Sequence, residues 1–295
     1  MAASIVVFGS LNMDLMVRVE RNPRSGETLR GLGFLTNPGG KGANQAVACA
    51  RQGASVSMVG CVGNDSFGET LRNALAADGI DVSNVRTEEV STGVAIVMVD
   101  AQGENSITLI PGANEFVTAK PEALAGQFLL LQCEVPMGEV VEAAKLMRAR
   151  GATVVLNPAP VCQLPEELWS LVDIIVMNEI EVSELSGVSV NDPESATVAA
   201  SAILKRGPTT AMVTLGSQGV LLADGDHFRH FQAKQVAVVD TTAAGDTFIG
   251  AMCAARATGA SMSEAVIRGI EAATICVTRP GAQASIPFLH GATSA

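Results

Sequence analysis

Seven consecutive residues, Asp240-Thr241-Thr242-Ala243-Ala244-Gly245-Asp246, carry two carboxylates, two hydroxyls and three small side chains at the head of an apolar segment that runs to about Ala257. Small side chains leave backbone N–H groups uncovered, and at a helix N-terminus such donors and the macrodipole together seat a phosphoryl group. Asp246, in the first turn, aims a carboxylate at the same place, where it can serve as a base. Helix capping by Asp240 or Asp246 competes with this reading, since Asp is a favoured N-cap. A second stretch, Asn37-Pro38-Gly39-Gly40-Lys41-Gly42-Ala43-Asn44, is not a Walker A loop: Leu35 and Gly42 stand where that pattern needs Gly and Ser or Thr. Its glycines let the backbone approach a ligand, and Asn44, on the first helical turn, offers both a donor and an acceptor to hydroxyl groups. With Asn12 and Asp14 it makes a set suited to a polyol, against the alternative of a mere tight turn. Asn178-Glu179-Ile180-Glu181 and Thr214-Leu215-Gly216-Ser217-Gln218-Gly219 each leave the end of an apolar run; taken singly, they also read as a helix cap and an ordinary turn.

These residues must be positioned by the elements around them. Ser4 to Phe8 reads as a buried strand releasing the loop Gly9 to Asp14, and loops at that edge of a parallel sheet hold ligands. A helix is expected over Ala43 to Gln52, then a strand over Ser55 to Val62 and a helix over Asp65 to Asp78. Two strand pairs without helices follow a different rhythm: Leu15 to Val19 with Thr28 to Leu35, and Gly93 to Val99 with Ser106 to Ile110 across the polar loop Asp100 to Glu104. They predict a small sheet standing apart, built from segments near 13–36 and 92–112, with an extension of the main sheet's edge as the alternative. Alternation then resumes. Strands are expected over Phe128 to Glu134, Thr153 to Asn157, Ile174 to Met177 and Ala211 to Leu215. Helices are expected over Gly138 to Arg150, Pro165 to Ser170, Glu179 to Ser186 and Pro193 to Arg206. A hairpin around Asp224-Gly225-Asp226 and a last pair of helices complete one three-layer, doubly wound α/β domain with a mostly parallel sheet.

Composition narrows the function. The 295 residues are 48% hydrophobic and 17% charged, with one Trp and nine Phe, which supplies an aliphatic core and excludes global disorder. A formal charge of -11 leaves no basic stripe for a phosphate backbone to follow, so nucleic acid is not an expected partner. Apolar stretches fall well short of the ~20 residues that span a bilayer, and no basic-then-apolar segment opens the chain, so the expectation is a cytoplasmic protein with no membrane partner. Six cysteines include no C-x-x-C pair and read mostly as small buried hydrophobes; His227, His230 and His290 give a His-based metal site or triad little to work with. Gly9-Ser10-Leu11 lacks the second glycine of a dinucleotide fingerprint, which disfavours a nicotinamide dehydrogenase.

Taken together, Gly39-Gly40-Lys41-Gly42-Ala43-Asn44 and Asp240 to Asp246 make the chain resemble the ribokinase and phosphofructokinase-B sugar kinase family over nearly its whole length. Asn12-Met13-Asp14, Cys133-Glu134 and Val277 to Ala282 match its ribokinase branch. The resemblance implies that Asp246 takes the proton from a sugar's primary hydroxyl as that oxygen attacks the ATP γ-phosphate, with the Ala243 to Asp246 amides, Gly245 included, stabilising the transferred charge. It assigns Asn12, Asp14, Gly40, Lys41, Asn44 and Glu134 to the sugar, and Asn178, Thr214, Gly216, Ser217 and Gly219 to ATP. It also places Glu181 near magnesium, and Asp240, Thr242, Cys276, Arg279, Gly281 and Ser285 around a potassium ion, mostly through carbonyls. By the same resemblance the substrate is D-ribose at its 5-hydroxyl, with another furanose or a nucleoside as the alternative and a non-catalytic sugar sensor as a more distant one. The small sheet would close over the sugar and pair with its counterpart in a homodimer, and the run Val94 to Val99 would be buried on both sides. Ile270 departs from the pattern, which usually places Asn or His there, close to the adenine.

Overall fold

A computed structural model describes residues 4–102 and 105–289. His290 and the Gly103-Glu104 tip of the predicted polar loop lie outside them. In chain order the strands are β1 (Ile5–Phe8), β2 (Asn12–Arg18), β3 (Gly33–Gly39), β4 (Val56–Gly63), β5 (Asp81–Glu88), β6 (Gly93–Val99), β7 (Asn105–Ile110), β8 (Phe128–Leu131), β9 (Thr153–Leu156), β10 (Ile174–Asn178), β11 (Thr210–Thr214), β12 (Val220–Asp224) and β13 (His227–Phe231). The helices are α1 (Lys41–Arg51), α2 (Ser66–Ala77), α3 (Met137–Ala149), α4 (Glu166–Trp169), α5 (Glu179–Ser186), α6 (Pro193–Leu204), α7 (Ala244–Ala257) and α8 (Met262–Cys276).

Nine strands form one sheet in the order β13-β12-β11-β10-β9-β8-β1-β4-β5; all neighbours from β11 to β5 are parallel, and β12 and β13 close one edge antiparallel. Successive side chains of a strand point to opposite faces. Val6 and Phe8 therefore join the core under α3 to α6, while Ile5 and Val7 join the core under α1, α2, α7 and α8. Leu129, Leu130 and Leu131 of β8 are fully buried, which is worth about 1.5–3 kcal/mol for each such side chain. This is the doubly wound, three-layer arrangement expected. Strand order reverses between β1 and β8, and a crevice opens at such a reversal beyond the carboxyl ends of the strands.

The second sheet has four strands in the order β3-β2-β6-β7 and stands apart from the first. Several local expectations need correction. Asn12 and Asp14 lie on β2 rather than in a loop, since Asn12-Met13-Asp14 alternates polar and apolar residues as a strand does: Asn12 and Asp14 share one face while Met13 is buried on the other. The partner strand is β3 instead of Thr28 to Leu35. Pro38, which argued for a turn, pairs with Met13 on an edge strand, where a missing N–H costs no ladder bond. The edge strand β5 escapes a reading based on apolar runs because only Val85 of its eight residues is buried. β8 stops at Leu131, which leaves Cys133 and Glu134 in the loop beyond it. In the single chain, only Ala95 of the run Val94 to Val99 is buried, Ile96 is exposed, and Leu35 and Ile107 nearby are 54% and 64% exposed.

No helix among the described residues is long and apolar enough to cross a membrane.

Candidate active site

Beyond the carboxyl ends of β1 and β8, the cleft is closed by the start of α1. Gly40 precedes that helix at φ +90°, and a Cβ there would fall 2.7 Å from the Asn12 nitrogen, so only glycine brings the two segments this close. Glu134 Oε2 accepts hydrogen bonds from Ser10 Oγ (2.5 Å), the Lys41 amide (3.1 Å) and Asn12 Nδ2 (3.4 Å). Asn12 Oδ1 in turn accepts from Asn114 Nδ2 (2.8 Å), and Asn114 clasps both backbone groups of Leu11. Asp14, on the same face of β2, senses Glu134 and Asp246. Burial and repulsion from these two carboxylates push it from the ordinary 3.8 up to about 7, against the pull of Lys41. Burial lowers the Lys41 ammonium, but Asp246, Glu134 and Glu181 outweigh that and hold it above its ordinary value.

Asp246 is 8% exposed at the head of α7. Its Oδ2 accepts from Asn44 Nδ2 and its Oδ1 from Gln45 Nε2, both at 3.0 Å, so two adjacent residues of α1 grip the carboxylate. The two helices approach closely because Gly250 lies at their contact; a Cβ there would come within 2.8 Å of the Cys49 nitrogen and 2.9 Å of the Gln45 oxygen. Asp246 does not cap its helix. The N-cap is Ala243, at φ 59°, the one non-glycine residue with positive φ among those described, and it makes no side-chain cap bond. Strain of this kind, roughly 1–3 kcal/mol, persists where the surroundings over-determine it. Here it turns the first amides of α7 toward a cavity of about 200 Å³ lined by Lys41, Glu181, Ala244, Gly245 and Asp246. A second cavity of about 520 Å³ shares Asn178, Thr214, Thr241, Ala244 and Gly245 with it and continues past Gly216, Ser217 and Gly219 to Ile270. The five residues predicted for ATP, together with Gly245, therefore line one continuous hollow, with an apolar end formed by Phe248, Ile270 and Val277.

Asn178 and Glu181 form a capping box at the head of α5. Burial raises the Glu181 carboxyl although bonds from Asn178 and Asn157 oppose the shift. No cluster of three metal-ligating side chains occurs among the described residues. A buried carboxylate, Glu181, beside the cavity that Asp246 also lines nonetheless suits magnesium, which takes one or two carboxylates plus substrate phosphates and water.

The predicted cation loop also assembles. Asp240 Oδ1 accepts from Thr242 N (2.9 Å) and Thr242 Oγ1 (2.6 Å), and Asp240 Oδ2 from Gly281 N (2.9 Å). Despite burial these donors hold the Asp240 carboxyl below its usual range. Cys276 Sγ lies 3.0 Å from Ser285 Oγ and 3.7 Å from the Thr242 carbonyl, while Arg279 is exposed and its backbone N–H donates to the Cys276 carbonyl at 3.0 Å. A donor set of hydroxyls, carbonyls and one carboxylate fits a hard monovalent ion.

Sequence reasoning missed Ser10, Gln45, Asn114, Gln132 and Asn157, all buried. The usable signal was a polar residue inside an apolar run, as in Phe-Leu-Leu-Leu-Gln132, or next to a chosen one, as Gln45 is to Asn44. Cys49, Cys61, Cys253 and Cys276 are buried, as expected for most of the cysteines, whereas Cys133 and Cys162 are half-buried. Their interaction holds Cys162 below the ordinary thiol range and, with burial, raises Cys133.

A doubly wound α/β body with a detached small sheet, a cavity at the head of α7 and a buried carboxylate beside the polar residues Asn12, Asp14, Asn44 and Glu134 defines a small-molecule kinase. The chain belongs to the pfkB family of carbohydrate kinases, whose family model matches residues 2–289. It is 44% identical to a ribokinase of Haemophilus influenzae over 294 residues, 97% of this chain and 96% of that one. It is 35% identical to a deoxyribokinase of Salmonella typhi, covering 97% and 96%. The structure of Arabidopsis thaliana ribokinase complexed with ribose and ATP superposes with a TM-score of 0.91 at 34% identity, over 98% and 96% of the two chains.

Proposed function

We propose that this chain transfers the γ-phosphoryl group of ATP to the 5-hydroxyl of D-ribose. The observation that carries this is the bridge from Asn44 Nδ2 to Asp246 Oδ2, which puts the base candidate at the junction between the polar Asn12–Asp14–Glu134 cleft and the amide-lined hollow. Asn12, Asp14, Gly40, Lys41, Asn44 and Glu134 orient the sugar. Asp246 accepts the 5-hydroxyl proton, the freed oxygen attacks the γ-phosphorus, the bond to the β-phosphate oxygen breaks, and ADP leaves. Gly245 and Asp246 amides, with Lys41, stabilise the charge on the transferring group, while Asn178, Thr214, Gly216, Ser217 and Gly219 seat the nucleotide. Glu181 would hold magnesium, which when bound would supply neutralisation of phosphate charge. A potassium ion at Asp240, Thr242, Gly281 and the carbonyls near Cys276, Arg279 and Ser285 would lock the loop that leads into α7. A cytoplasmic location goes with ATP as donor.

The small sheet supports two further readings. The face that carries Asn12 and Asp14 continues outward as Met16, Leu35, Val97 and Ile107, aligned by register. A homodimer through this sheet would cover that band, and closure over the sugar would exclude the water that competes for the phosphoryl group. A sugar panel in a coupled ADP-release assay tests the substrate. D-ribose should give the highest kcat/KM; deoxyribose or a nucleoside well ahead of it would replace ribose, and no turnover with any sugar would leave a sensor.

A further inference from the structure

Gln45 and Gln132 are both 0% exposed and touch neither cavity, yet they stand in line with Asp246. Gln132, just past the end of β8, donates Nε2 to Gln45 Oε1 at 2.6 Å. With its oxygen thus committed, Gln45 can present only its NH2 group to Asp246 Oδ1, at 3.0 Å. Asn157 agrees with that polarity. Its own Nδ2 is directed at the Val176 carbonyl (3.1 Å) and Glu181 Oε2 (3.4 Å), so its oxygen faces Gln45 Nε2 at 3.4 Å. Gln45 and Asn157 each have one orientation that satisfies their neighbours, while Gln132 spends its NH2 group on Gln45 and leaves its own Oε1 without a partner. Burying two glutamine side chains is costly unless they bond, and apolar residues of similar size would fill the same space without that cost. The core alone gives no reason for them.

We propose that Gln45, oriented by Gln132, is a positioning residue that fixes the Asp246 carboxylate against the hydroxyl it deprotonates. Asn44, 6% exposed, grips the other oxygen and belongs to the set proposed to bind the sugar, so its bond would change as substrate enters; Gln45, 0% exposed, has its bond to Asp246 set by its buried amide neighbours. The rotamer of the base is thus set from the sheet side before sugar arrives. A displacement of the base by about 1 Å can cost on the order of 100-fold in rate, which sets the scale of the expected effect.

This inference rests on the reading of Asp246 as the base, and a double-mutant cycle separates the two. Asp246→Asn alone should lower kcat steeply; if it does not, the base reading falls and the positioning role falls with it. Gln45→Leu should lower kcat by about 10- to 100-fold while KM for ribose and for ATP stays within about twofold. In the Asp246→Asn background the same change should cost less than about twofold, because the partner through which it acts is gone. Equal losses in both backgrounds, or a loss confined to the sugar KM, would overturn the proposal with the base reading intact. Should Gln45→Leu fail to give a cooperative thermal transition, Gln132→Met, which removes only the anchor, decides by the same cycle: its kcat loss must also vanish in the Asp246→Asn background.

Discussion

Two groups of carboxylates lie on either side of the turn into α7 and are treated in opposite ways. On the loop side, Asp240 receives three donors from its own neighbourhood, Thr242 N, Thr242 Oγ1 and Gly281 N, and is held below its usual range. In the cleft, Asp14, Glu134 and Asp246 crowd around Lys41, and Asp14 is pushed up to about 7. Asp240, which ties the chain together, is saturated by the fold; Asp14, facing the cleft, is left short of the donors that Glu134 and Asp246 have and close to those two carboxylates. That shortage is what sugar hydroxyls would relieve.

Replacing Asp246 with Asn tests the chemical side most severely. It should lower kcat by about 10²- to 10⁴-fold, the usual worth of a positioned base, while thermal unfolding stays nearly unchanged. Unaltered turnover would erase the distinction between the two groups. Asp14→Asn comes next, with an expected rise in ribose KM and a higher apo melting temperature at pH 7 and above. The sign follows from linkage: a native pKa near 7 against 3.8 unfolded means the folded state binds more protons across that window. Apo stability should therefore fall as pH rises from about 4 to about 7, and Asp14→Asn should flatten that slope. A steep slope surviving in the variant would point to another group. Asp240→Ala should cost about 0.5–1.5 kcal/mol in urea unfolding, as half-buried donors lose their acceptor, and should abolish any difference between potassium and sodium in the rate. A variant as responsive to potassium as the parent would place the cation elsewhere. The smallest effect belongs to Ile107→Lys, on the exposed band of the small sheet, which should leave the unfolding transition in place while shifting the molecule to a monomer in analytical ultracentrifugation.

The same contrast explains what could be read from the sequence. The large sheet was legible because its strands are continuous apolar runs bounded by glycine or polar turns, as in Ile5–Phe8 and Ile174–Asn178. The residues at its carboxyl edge followed, since topology dictates where ligands sit. β5 and β3 were missed or misplaced because edge strands pair on one side only and tolerate polar residues and proline. The buried amides were illegible for a different reason. Asn157 and Gln132 owe their meaning to partners 19 to 112 positions away along the chain, and no local pattern encodes such a pairing.

Gly250 also decides which parts of the molecule are free to travel. With α1 and α7 seated backbone to backbone, the separation between the amide grip and the acid it holds is set by main-chain atoms, which do not swing as side chains do. Any shutting of the crevice must then come from the outlying strands, which hammer against a fixed anvil.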